Sequence, residues 1–215
     1  MRFDAFSKII SKISLYELPG LEVQLQMAPP YIELLLKQSA ELIDKAKLAA
    51  VLALFYPGLN GKTYLVFILR QSRIGVHSGQ IGFPGGKPEK GDANLQQTAV
   101  RETHEEIGVN PEFIELITPM SKLYIPPSNF NVFPYVGITQ IQPVFKAQLS
   151  EVASIIEISL DDLIHPKYRT SVKVKTADGL SITVPAFNFS GHIVWGATAM
   201  ILTEIIYLLN LILKK

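Results

Sequence analysis

The sequence predicts an α/β domain in which a mixed sheet carries helices on both faces. Three observations predict it. Residues 49–56 and 63–70 are apolar runs of strand character on either side of a Pro57-Gly58-Leu59-Asn60-Gly61-Lys62 turn. Residues 93–107 repeat with helical period and stop at Gly108, the residue type that suits the position just past a helix. Residues 197–213 form a second, almost wholly apolar helical stretch, of the kind that packs against a sheet.

The elements follow in order. Residues 1–18 predict an amphipathic helix, with Phe3, Phe6, Ile9, Ile10 and Ile13 on one side. Pro29-Pro30 breaks the chain, and residues 31–47 predict a second helix. The two strands then form a hairpin around Asn60-Gly61. Gly61-Lys62-Thr63 is not a nucleotide-binding loop: the required earlier glycine is Tyr56, and a strand follows instead of a helix. Residues 74–92 are a glycine-rich loop leading into the helix over 93–107. Strands are predicted near 113–118 and 131–139, separated by Ile125-Pro126-Pro127, and again over 151–157. A short helix over 159–164 precedes a hairpin, 170–176 and 180–184, turning at Asp178-Gly179. Trp195, read as a core residue, and Gly196 lead into the last helix. Residues 1–47 are thus expected to be a helical extension packed on a domain spanning 48–215.

Composition removes several functions. The chain has 215 residues, 48% of them hydrophobic and 18% charged, with a formal net charge of +1. That composition is globular, and it provides no general field for nucleic acid. The absence of cysteine excludes disulfides, thiolate metal sites and a cysteine nucleophile. With no secretory signal at the N-terminus, a cytoplasmic protein is expected. Glu204 and Asn210 interrupt the C-terminal apolar run, so it is expected to pack on the sheet or in a homodimer contact, without stable membrane insertion.

The chemistry is concentrated in the helix over 93–107. With about 100° per residue, Glu102, Glu105 and Glu106 share an arc of about 100°. Ala99, Val100, Thr103 and Ile107 mark the core side of that arc, while Gln97, Arg101 and His104 mark the wet side. Three carboxylates on the rim of a core repel one another. Arg101, four residues before Glu105, compensates only part of this. A hard divalent ion with oxygen ligands is the natural counter-charge. Gly85-Gly86 strengthens the reading, because bare backbone can approach a metal or phosphate closely.

Residues 86–109 resemble the Nudix box, the signature of the Nudix hydrolase superfamily. The tail, Arg101-Glu102-Thr103-His104-Glu105-Glu106-Ile107-Gly108-Val109, matches every fixed position. At the head, Asp92 fills the acidic position, with one residue more than usual before Arg101. That longer form resembles the coenzyme A pyrophosphatase branch. So do Arg70 with His77-Ser78-Gly79-Gln80-Ile81-Gly82-Phe83-Pro84-Gly85-Gly86, and Ile193-Val194-Trp195-Gly196-Ala197-Thr198-Ala199. Two positions depart from the branch, where Gln71 and Gly75 stand; Arg73 is the nearby guanidinium that could serve instead.

The resemblance implies a Nudix-type α/β/α sandwich with a mixed sheet. It implies Mg2+ or Mn2+ as cofactor, held by Glu102, Glu106 and Glu105 with the Gly86 carbonyl, and Arg101 orienting Glu105. The implied substrate is a small nucleoside diphosphate derivative. Coenzyme A or its thioesters come first, giving 4′-phosphopantetheine and adenosine 3′,5′-bisphosphate, and NADH or ADP-ribose are the alternatives. Arg70, His77, Ser78, Gln80, Gly85 and Gly86 are the candidate substrate contacts. Glu151 and His77 are the candidates for general base. A non-catalytic binding module is the rival of another class; such proteins typically lack box glutamates, and this chain has all three.

Overall fold

The computed structural model describes residues 1–72, 79–175, 179 and 181–213. His77, Ser78, Arg73, Gly75 and Asp178 lie outside the described residues.

The N-terminal segment is more broken than its periodicity predicts. In place of one helix over 1–18 there is α1 (Phe3–Ser7) and a 3-10 segment, Ile10–Leu15. The cause is local: Ile9, Ile10 and Ile13 are β-branched, and the Ser14 hydroxyl donates to the Ser11 carbonyl at 2.7 Å. The apolar face survives, since Phe3, Phe6, Ile10 and Ile13 are buried. A short helix absent from the sequence reading, α2 (Leu21–Gln24), follows. The helix expected over 31–47 is also divided, into α3 (Ile32–Gln38) and a 3-10 segment, Ala40–Lys45. Only Ile32 of α3 is buried, so little packing supports a longer helix.

β1 (Lys47–Pro57) and β2 (Thr63–Arg70) form the expected hairpin. Two very short strands follow, β3 (Ile81–Gly82) and β4 (Gly85–Gly86). Next come α4 (Leu95–Ile107), β5 (Glu115–Pro119), β6 (Leu123–Ile125) and β7 (Phe130–Ile138). The chain continues through β8 (Val152–Ser159), α5 (Leu160–Leu163), β9 (Arg169–Lys175) and β10 (Ser181–Phe189). It closes with β11 (His192–Trp195) and α6 (Gly196–Leu213).

The main sheet runs β3-β2-β1-β7-β5, with β4 also on β1, β6 on β7 and β8 on β2. β1 and β7 are parallel and the other pairs antiparallel, so the sheet is mixed. β9 and β10 form the hairpin expected over 170–184, and with β11, a strand the periodicity does not predict, they make a separate three-stranded sheet. β9 is half-buried only at Val172 and Val174 and is otherwise exposed, and it pairs with β10, not with the core sheet.

Alternation along β1 builds two cores. Ala50, Leu52, Leu54 and Tyr56 pack with Ala99 and Ile107 of α4. Ala53 and Phe55 face α6 and the N-terminal segment, where the Phe6 and Phe55 rings lie 5.0 Å apart. Burying a side chain such as Ile107 contributes about 2 kcal/mol. These contacts set the rotation of α4 and therefore the direction of its glutamates.

Candidate active site

The start and end of α4 are fixed by local chemistry. The Asn94 side chain accepts from the Gln97 amide at 2.9 Å, and the Gln97 side chain accepts from the Ala93 amide at 2.8 Å. Gly108 ends the helix with φ 76°. With Ala99, Thr103 and Ile107 buried against the sheet, Glu102 and Glu106 come to the rim that faces β4.

β4 is where the backbone approaches most closely. Gly85 pairs with Val51 at φ 147°, and a Cβ there would lie 2.2 Å from the Ala50 carbonyl oxygen. A Cβ on Gly86 would lie 2.4 Å from a Glu102 carboxylate oxygen. The Gly85 amide donates to Glu106 Oε2 at 2.8 Å. Only glycines allow a two-residue strand to lie against both carboxylates.

The two acids are strained electrostatically. Glu106 is 2% exposed, and burial pushes its carboxyl up to about 7. Arg70 and the Gly85 amide oppose that shift, while the charges of Glu102 and Glu151 add to it. Glu102 is also raised, first by burial; Arg101 opposes, and Glu105 and Glu151 reinforce. Glu151 is exposed, and its carbonyl accepts from the Gln71 amide at 2.8 Å. Its charge adds to the upward shift of both Glu102 and Glu106, after burial and the nearer charges.

Arg101 has more partners than its spacing from Glu105 reveals. It donates to Glu105 Oε2 at 2.8 Å, but also to both oxygens of Asp92, at 2.9 and 3.0 Å, and to the Lys87 carbonyl at 2.9 Å. Asp92 also accepts from the Thr98 hydroxyl and the Glu89 amide, both at 2.9 Å. Arg101, followed by the Glu89 amide, holds the Asp92 carboxyl well below the usual range. Asp92 and Arg101 together tie the loop before the helix to the helix itself.

Arg70 lies on the opposite flank. Its guanidinium donates to Glu106 Oε1 at 3.1 Å and to the Gly85 carbonyl at 2.9 Å. The contact with Glu106 was not visible in the sequence, because the two residues are far apart in the chain and on different elements. Beside this pair opens a cleft of about 260 Å³, lined by Arg70, Gln80, Gly85, Gly86, Lys87 and Phe130, with α6 along one side. Lys87 and Phe130 were absent from the sequence reading; the position of Lys87 next to Gly86 was the signal available. Trp195, expected in the core, is half-buried beside a smaller cavity with Tyr31 and Tyr124. His104 is exposed, with its ring at 3.1 Å from the Val109 carbonyl.

Among the described residues, no three His, Asp or Glu side chains group as a metal cluster. Glu105 is 51% exposed and held outward by Arg101. What converges is a pair of desolvated carboxylates, Glu102 and Glu106, against the bare backbone of Gly85 and Gly86. That donor set fits a hard divalent ion that completes its shell with water and phosphate oxygens, as magnesium does.

A sandwich that sets a helix-borne pair of acids against a glycine turn, beside an open cleft, defines a hydrolase of the Nudix type. The family described as NUDIX domain matches residues 47–171, and the chain belongs to it. The chain is 32% identical to a mitochondrial coenzyme A diphosphatase of Mus musculus over 79% of this chain and 81% of that one. It is 30% identical to an uncharacterised Nudix hydrolase of Enterobacter sp. (strain 638), over 79% and 85% of the two chains. A mitochondrial Nudix hydrolase of Arabidopsis thaliana is 29% identical over 74% of this chain, and the match spans only 57% of its length. Among solved structures, a MutT/nudix family protein from Enterococcus faecalis shares the fold with a TM-score of 0.51 and 15% identity, covering 79% of this chain and 63% of that one.

Proposed function

We propose that this Nudix hydrolase cleaves the phosphoanhydride bond of coenzyme A or its thioesters, with Mg2+ or Mn2+, releasing 4′-phosphopantetheine and adenosine 3′,5′-bisphosphate. The observation that carries the chemistry is the Glu102–Glu106 pair, desolvated and set against Gly85-Gly86 at the edge of the cleft. The substrate assignment is supported by the similarity to the mouse diphosphatase and by the flanking segments around Arg70 and Trp195.

Glu102, Glu106 and the Gly86 carbonyl would hold the ion, which supplies charge neutralisation on phosphoryl oxygens and a lowered pKa for bound water. The chain's own residues prepare the rest. Arg101 fixes Asp92, Glu105 and the Lys87 carbonyl, which holds the glycine turn in register with α4. Glu151, whose charge raises both Glu102 and Glu106, is the acid this reading assigns to take a proton from the attacking water. Gln80 and Lys87 line the cleft where the diphosphate arm would lie.

The test is a turnover screen of coenzyme A, NADH and ADP-ribose with and without MgCl2, with products identified by mass spectrometry. Hydrolysis of coenzyme A to the two named products, abolished by chelator, is expected. A clear preference for NADH or ADP-ribose would overturn the substrate assignment and leave the hydrolase reading in place.

A further inference from the structure

We infer that the two cations lining the cleft divide their roles: Arg70 positions Glu106 and the glycine turn, and Lys87 meets the anionic group of the substrate. The inference rests on the phosphoanhydride reading above and assigns Arg70 differently from a substrate contact.

Three bonds close a ring. Arg70 Nη1 donates to Glu106 Oε1 at 3.1 Å, Arg70 Nη2 donates to the Gly85 carbonyl at 2.9 Å, and the Gly85 amide donates to Glu106 Oε2 at 2.8 Å. Both oxygens of Glu106 and both polar atoms of the Gly85 backbone are engaged, so the ring fixes the acid and the turn relative to each other. The arginine is not free to leave it. Glu106 is 2% exposed and already crowded by Glu102 and Glu151, so withdrawal would strand a buried charge. A guanidinium neutralised in this way projects little net positive charge into the cleft.

Lys87 has the opposite character. It is exposed, and no carboxylate among the described residues pairs with it. Its ammonium lies 5.6 Å from the centroid of the Phe130 ring. That contact is weak enough for an exposed lysine to exchange for a phosphate. Its backbone is anchored, because its carbonyl accepts from Arg101. An anchored backbone with an exposed ammonium that meets no carboxylate among the described residues, next to Gly86, is suited to a point contact with a diphosphate or an attached phosphate.

The experiment compares Arg70→Gln, Arg70→Lys and Lys87→Gln in the full chain. Mg2+ binding is measured by calorimetry without substrate, and KM and kcat for coenzyme A are measured at saturating Mg2+. Arg70→Gln is expected to weaken Mg2+ binding about tenfold and to lower kcat, with KM nearly unchanged. Arg70→Lys, which keeps a donor toward Glu106, should recover part of both losses and carries the measurement if the glutamine variant does not fold. Lys87→Gln is expected to raise KM about tenfold with Mg2+ binding unchanged. Tighter Mg2+ binding in Arg70→Gln, a raised KM there with metal binding intact, or an unchanged KM in Lys87→Gln would each overturn the division. Wild-type protein that neither binds Mg2+ nor hydrolyses any diphosphate would instead defeat the functional reading on which it rests.

Discussion

Two helices each bury a glutamate, and they do so in opposite ways. In α6, Glu204 is fully buried and accepts from the Gly20 amide at 3.0 Å and the Gln24 side-chain amide at 3.1 Å. Both donors are neutral and come from the α2 region, so the carboxylate staples that segment onto α6. In α4, Glu106 is almost as buried, yet it meets an arginine, a backbone amide and the fields of two further acids. Burial alone therefore does not mark a reactive acid. Crowding by like charge beside an open cleft does, because such an arrangement lowers stability without an ion to offset it.

The comparison also explains α6. By length and composition the helix could cross a membrane, with a mean hydropathy of 1.8 over 18 residues. In the fold it is a core element, packed against β10, β11 and the N-terminal segment. Its one acid is the point at which that packing becomes specific.

The contrast can be broken most sharply at Glu106. Glu106→Gln should lower kcat on the order of a thousandfold per folded molecule, and should also cost about 1–3 kcal/mol, because the amide can accept from only one of Arg70 and the Gly85 amide. A variant that keeps full turnover would place Glu106 with Glu204, as a structural acid. The reciprocal change is Glu204→Ala, expected to cost about 3 kcal/mol in urea unfolding because two buried donors lose their acceptor. Turnover per folded molecule should not change; a selective loss of kcat would erase the distinction.

A smaller effect sharpens the middle case, Asp92, an acid at the site that is bonded as completely as Glu204. Asp92→Asn should cost about 1–2 kcal/mol at neutral pH. Arg101 holds the folded Asp92 carboxyl below its unfolded value, so the contribution is present above about pH 4 and is lost as pH falls through the folded value. Wild type and variant, compared by denaturation across that window, should converge in acid. A gap that persists would assign the effect to packing alone.

The residues that carry the site were legible where the code is local. The arc of Glu102, Glu105 and Glu106, the end of α4 at Gly108 and the β1–β2 hairpin all follow from helical period and turn chemistry within a few residues. The breaks in the N-terminal helices were not, because a side chain bonding to a nearby carbonyl in the first, and the scarcity of packing partners in the second, act at a level that periodicity does not register. Nor was the separate sheet of β9, β10 and β11, whose placement depends on which face finds a partner.

By itself, the sequence determined which helix would carry the acids, which glycines would lie against them and which family the chain joins. Only the tertiary structure decided that Arg70 reaches Glu106, that Arg101 also holds Asp92 and the Lys87 carbonyl, and that Lys87 and Phe130 share a cleft with α6. The reason is physical. Side-chain spacing along one helix is set by backbone geometry, whereas a charge pair between distant elements exists only once packing has fixed both backbones and excluded the water that would otherwise separate them.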